Sequence, residues 1–195
     1  MNNWLKTDEY KEITYTLEIL EYYTSKVKDD IYFWKWAILA LHSALQGFMV
    51  IGLKDSAGLN ILKDDIAEEW LQAYREGGQF PIEKLDTFLN LYKKIKSNRM
   101  LMYFHSKKFV PEGTQGQSIK KLNILRNDFM HFIPKGWSLE VSGLPIICMD
   151  CIQIIRFLGW SSGNFIWRDE NQKNKCNDLL NRIQDNLNFV YQEYN

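Results

Sequence analysis

Cysteine is scarce in this chain: Cys148, Cys151 and Cys176 are the only three in 195 residues. An odd, sparse set excludes the disulfide scaffold of a small secreted domain and fits a reducing, cytoplasmic compartment. Cys148-Met149-Asp150-Cys151 has C-x-x-C spacing. A second ligand pair for zinc and the βαβ surroundings of a thioredoxin-like site are both missing. Two buried thiols on a core helix are expected instead, with no metal and no cofactor. Proline is also rare, and Pro81, Pro111, Pro134 and Pro145 all fall at breaks in the pattern. Strand signals are few, and there is no internal repeat or low-complexity tract. The start, Met1 to Lys6, has no apolar core of the kind a signal peptide needs. The most apolar stretch, Ile31 to Leu53, is interrupted by Lys35, His42, Ser43 and Gln46. It falls short of the roughly 20 clean residues of a membrane span. A central helix buried on most sides is expected there, with His42 a core or helix-face histidine.

What remains is apolar, aromatic and helical in period. A chain of this length is most simply one domain, residues 1–195, with a sizeable core. Ile13, Leu17, Leu20 and Val27 recur at helical spacing. Asp29 and Asp30 offer an N-cap to the second helix. A short helix is expected over Leu62 to Tyr74. Pro81 suits the first turn of the next one, which carries Leu85, Phe88, Leu89, Tyr92 and Ile95. Residues 111 to 117 form a breaker-rich loop, after which Ser118 or a neighbour caps a further helix. Pro145 starts a helix that reaches Leu158, residues 159 to 175 read as irregular, and Leu179 to Tyr194 show one apolar face. The fold class is all-α: an up-and-down bundle of about five to six antiparallel helices.

The chemistry concentrates in Arg126-Asn127-Asp128-Phe129-Met130-His131, near the end of a helix expected to stop at Pro134. Arginine grips phosphate through a planar fork of donors, and histidine exchanges protons near neutral pH. Leu122, Leu125, Phe129 and Phe132 share a stripe that should face the core. His131 lies about 180° from Leu122 and points away from it, with Asn127 and Ile124 on its side. Arg126 flanks the core stripe and can extend outward. Net charge is zero, from 24 basic and 24 acidic side chains. Yet the segment from Lys93 to Lys135 holds ten positive residues against Glu112 and Asp128, a net of +8. Within it, Lys107, Lys108, Lys120 and Lys121 are candidate RNA-binding residues, because phosphate attraction needs only a local field.

Arg126-Asn127, three residues, then His131, on a late helix of an all-helical chain, resembles the HEPN superfamily. The resemblance implies a helical bundle that commonly dimerises, often a metal-independent endoribonuclease of toxin–antitoxin or antiphage systems. Carried over, Arg126 and His131 would be catalytic and Asn127 a site-shaping neighbour, with two motifs meeting at a homodimer cleft. Some such toxins carry a tyrosine two residues after the histidine, which a partner nucleotidyltransferase modifies. Here Ile133 stands there, so control by that route is in doubt, while an antitoxin partner stays open. The expected reaction is 2′-hydroxyl attack on the adjacent phosphate, leaving 2′,3′-cyclic phosphate and 5′-hydroxyl ends. The alternatives are a non-catalytic HEPN module that binds RNA, a nucleotide or a protein, and an unrelated helical interaction domain.

Overall fold

A computed structural model describes residues 3–131, 136 and 138–195. Phe132, Ile133, Pro134 and Lys135, to which the sequence assigns a core position, a missing tyrosine, a helix stop and a basic residue, lie outside the described residues. Seven α-helices are described: α1 (Glu9–Lys26), α2 (Phe33–Leu53), α3 (Asp64–Glu76), α4 (Phe88–Ile95), α5 (Gln115–Met130), α6 (Leu144–Arg156) and α7 (Glu170–Tyr194). The described residues contain no strand, only an isolated bridge between Leu62 and Leu85.

The centre is α2. Trp34, Ile38, Leu41, Leu45, Phe48 and Met49 are all buried, and α2 packs against α1, α4, α5 and α6. By length and hydropathy α2 and the segment Leu144–Ser161 match a membrane span, but 67% of the apolar window of α2 is buried inside the bundle. Helix α1 runs antiparallel to α2. Its Asp8 cap accepts from the Tyr10 and Lys11 amides at 3.0 and 2.9 Å, and its Glu9 pairs with Lys54 at 2.6 Å. Helix α7 closes the other side of α1 through Leu179, Leu180, Ile183 and Leu187, and Trp34 Nε1 donates to Tyr194 Oη at 2.9 Å. Cys148 and Cys151 are buried thiols on α6, and burial pushes the Cys148 pKa up to about 12.

The structure departs from the sequence reading between helices. Pro81 opens no helix: residues 78 to 84 lack helical structure, and α4 starts at Phe88 behind the Thr87 cap. Helix α3 ends at Gly77, whose φ of 71° is the left-handed conformation glycine tolerates. The arm made by α3 and the following segment stands off the bundle, with only Ile66 and Ala73 of α3 buried. Trp70 packs on Phe80 and Tyr74 within the arm itself. Its base is tied down by the Lys63 amide on Lys84 O at 3.0 Å and by buried Lys94, which reaches Asp86 at 2.6 Å and Asp64 at 3.0 Å. Burial pushes the Asp86 carboxyl up. Lys94, Asn90 and the Thr87 amide outweigh it and leave Asp86 below its ordinary pKa. Ser118 does not cap α5. It lies inside the helix and donates to Asp150 on α6 at 2.6 Å, as does Thr114 at 2.7 Å. The span read as irregular after Leu158 holds a π-turn over Phe157–Ser161, and α7 already begins at Glu170.

Gly47 sets how closely α1 approaches α2. A Cβ there would stand 2.6 Å from Ile13 Cγ2, a branched side chain only 1% exposed. Alanine raises helix propensity by about 1 kcal/mol, but overpacking costs about 1–3 kcal/mol. Gly47→Ala is expected to lower stability by up to roughly 2 kcal/mol, read as a lower urea midpoint at unchanged slope. An unchanged midpoint would mean that α1 moves aside at no cost.

Candidate active site

Helix α5 carries the Arg-Asn-x-x-x-His string. Its inner face is Ile119, Leu122 and Leu125, all buried, with Phe129 half-buried against the same core. Helical geometry ends at Met130. His131 is the C-cap, at φ −95° and ψ 85°, and its amide donates to Asn127 O at 2.8 Å. Its side chain is exposed. Among the described residues no hydrogen bond links the Asn127 side chain to the His131 ring. Asn127 Oδ1 instead accepts from Arg126 Nη1 at 3.0 Å, which fixes the guanidinium beside the outer face.

Arg126 and His131 open in different directions. Five residues separate them, about 140° around the helix. Arg126, partly buried, lines a groove of about 490 Å³ between α1, α2 and the end of α5. The walls include Glu9, Glu12 and Thr16 from α1, His42, Ser43 and Gln46 from α2, and Met130 from α5. His131 is not among them. The sequence reading brings Arg126 and His131 together across two chains or around a bound phosphate. Within a single chain the groove brings Arg126 together with His42.

His42 is 6% exposed. Its ring stacks on Phe88 with centroids 3.9 Å apart, and Nε2 lies 3.4 Å from Asn123 Oδ1. Burial drives its pKa down to about 4, and the nearby Arg126 charge adds to this, against the opposing hydrogen bond to Asn123. The imidazole is therefore neutral at neutral pH. Sequence reasoning set His42 aside as a core histidine, and its burial agrees. Its place on the groove wall was missed, although the signal was present. His42, Ser43 and Gln46 are the polar interruptions in the most apolar stretch, and 42 and 46 are i and i+4 on one face.

The basic segment is not one patch. Lys94 is buried in its ion pairs, and Arg99 is held by Asp64 at 2.8 Å. Lys120 and Lys121 are exposed on the first turns of α5. They edge a second groove, of about 480 Å³, with Ile124 and Ile146. They stand about 15 Å along the helix from His131. Lys107 and Lys108 are exposed in the segment before α5, where the Lys107 amide donates to Ser162 O at 2.8 Å and Lys108 reaches Asn98 Oδ1 at 3.2 Å. Among the described residues no group of three His, Cys, Asp or Glu side chains is placed to hold a metal.

The depressed His42 pKa has a sign. Between about 4 and the ordinary value of 6.5 the unfolded chain binds a proton that the folded chain does not. Stability therefore falls as pH drops through that window, by on the order of 3 kcal/mol at full development. His42→Gln is expected to flatten the dependence above pH 5, where carboxylates contribute little. Denaturant titrations at pH 7, 6 and 5 measure this, and parallel slopes for wild type and variant would assign the effect elsewhere.

Compared with family models, with curated proteins and with solved structures, the chain finds no match.

Proposed function

We propose that this chain is a metal-independent endoribonuclease of the HEPN type. The observation that carries the reading is the placement of the Arg126-Asn127-x-x-x-His131 string at the exposed end of α5. There the histidine ring is free to solvent and the arginine is braced by its neighbour, Asn127. In the proposed reaction a ribose 2′-hydroxyl gives up its proton as its oxygen attacks the adjacent phosphorus. The P–O5′ bond breaks, and the 5′-oxygen takes a proton as it leaves. His131 serves these transfers, and Arg126 offsets the charge that grows on the phosphate oxygens. Asn127 keeps the guanidinium in place, a role better matched to its hydrogen bond than orienting His131. Because Arg126 and His131 diverge within one chain, the complete site is a cleft between two copies, formed across the face bearing Ile124, Asn127 and His131. Ile124 is 52% exposed there.

The same divergence favours one rival reading, a non-catalytic module that holds RNA or a nucleotide in the Arg126 groove. Cleavage separates the two. His131→Ala and Arg126→Ala are each expected to lower cleavage of a labelled RNA panel by about 10²–10⁴. Asn127→Ala should be milder, and His105→Ala, whose ring is held by Gly163 O, should retain activity. EDTA should leave the rate unchanged and the products should end in 2′,3′-cyclic phosphate, with circular dichroism confirming that each variant folds. Equal cleavage by wild type and His131→Ala would refute the mechanism, and binding without any cleavage would select the rival.

RNA affinity should also fall with salt. Replacing Lys107, Lys108, Lys120 and Lys121 together is expected to weaken binding and flatten that salt dependence, while folding survives because exposed charges contribute little. An unaltered salt slope would leave these lysines as solvated surface only.

A further inference from the structure

The groove beside Arg126 carries an arrangement that phosphate chemistry alone does not use. Glu9 is matched by Lys54 at 2.6 Å. Glu12 has no cationic partner among the described residues, and its Oε1 accepts only from Thr7 Oγ1, at 2.5 Å. Arg126 likewise has no carboxylate partner among them, only the Asn127 amide. A negatively charged hydrogen-bond acceptor and a positively charged donor thus line one groove with no ion pair between them. Ile13, Leu39 and Met130 add apolar side chains to the same lining. Met130 is 54% exposed and flexible, a residue suited to lie on a flat ring. His42 adds a neutral ring with one nitrogen near Asn123 and the other without a partner among the described residues. The volume, about 490 Å³, lies within the range of small-ligand sites, roughly 300–1,000 Å³.

We infer that this groove binds a guanine nucleotide, with Glu12 on the base and Arg126 on its phosphate. The inference deepens the ribonuclease reading by naming the base beside the cut, and its cleavage consequence rests on that reading. A carboxylate only accepts hydrogen bonds. Guanine presents two adjacent donors, N1–H and N2–H, which two carboxylate oxygens accept side by side. Adenine sets the N1 acceptor against the same carboxylate, and uracil flanks its one donor with carbonyl oxygens. Cytosine offers a single amino donor. A carboxylate that meets two donors at once favours guanine over bases that offer it one donor or set an acceptor against it. Arg126 meets the phosphate at the far end as a forked donor.

The test is calorimetric titration of the full-length chain with guanosine, inosine and adenosine monophosphates. The guanine nucleotide is expected to bind at least tenfold more tightly than the adenine one, with inosine, which lacks the N2 amino group, between them. Glu12→Gln, conservative in size at an exposed position, should bring guanine affinity down to that for adenine. Glu18→Gln, which faces Lys175 on the other side of α1, should change nothing. Arg126→Ala should weaken the monophosphate more than guanosine itself. Equal affinities for the guanine and adenine nucleotides, no measurable binding of either, or a preference that survives Glu12→Gln, would overturn the inference. RNA cleavage without preference for guanosine would overturn it too while leaving the nuclease reading in place. Guanine-selective binding with no cleavage would uphold the groove and remove the nuclease.

Discussion

The burial of α2 is the constraint on which the rest depends. A helix apolar on nearly every face must be covered on nearly every face, and α1, α4, α5 and α6 do this together. Covering it closely demands small contacts, and Gly47 supplies one by letting Ile13 of α1 sit where a Cβ would be. The same glycine leaves room at the floor of the groove, so the approach that seals the core also shapes the opening above it. The polar residues of α2 then have one place to go. His42, Ser43 and Gln46 fall where α1 and α5 part, and that seam is the groove. Core packing and candidate site are two faces of one helix.

The elements with a long single-period pattern were legible in the sequence. The buried α2, the apolar stripe of α7 and the start of α6 at Pro145 follow from spacing and from the φ that proline imposes. The misreadings share a cause. Pro81 and Ser118 are residues whose local preference suits a helix start, and neither starts one here. Residues 78 to 84 lead back along the α3 arm to the Leu62–Leu85 bridge. Ser118 is turned inward to Asp150, which lies 32 positions further along the chain. No short window holds that information. The outward aspect of His131 was readable from its angle to Leu122. The separation of Arg126 from it was present only as an imperfect i,i+5 offset.

Electrostatics follow the same logic of use elsewhere. A net of +8 over 43 residues reads as one basic surface. Folding withdraws Lys94 from solvent altogether, since its ammonium sits in the ion pairs that fasten the arm. Breaking a buried pair by removing one partner is far costlier than losing an exposed charge, so Lys94 is committed to structure. Arg99 shares Asp64 with it. The cations left to act at a distance are those with no acid beside them, and Lys120 and Lys121 are on the motif helix itself. A chain with zero net charge can still present a local positive field to an anionic strand.

The divergence of Arg126 and His131 finally limits what a single copy can do. A transferred proton needs its acceptor within hydrogen-bond reach, and a stabilising cation must stand where charge develops. Two side chains about 140° apart on one helix meet both conditions only around a ligand that wraps the helix end, or with a second helix facing the first. The bond from Arg126 to Asn127 favours the second arrangement. It holds the guanidinium to Asn127, a residue of the outer face of α5. A two-fold pairing of that face would set the arginine of one copy toward the histidine of the other. The groove behind Arg126 would stay open in that arrangement, because its walls are α1 and α2 rather than the outer face of α5. Binding of a base and assembly of a cutting site would then occupy opposite sides of the same arginine.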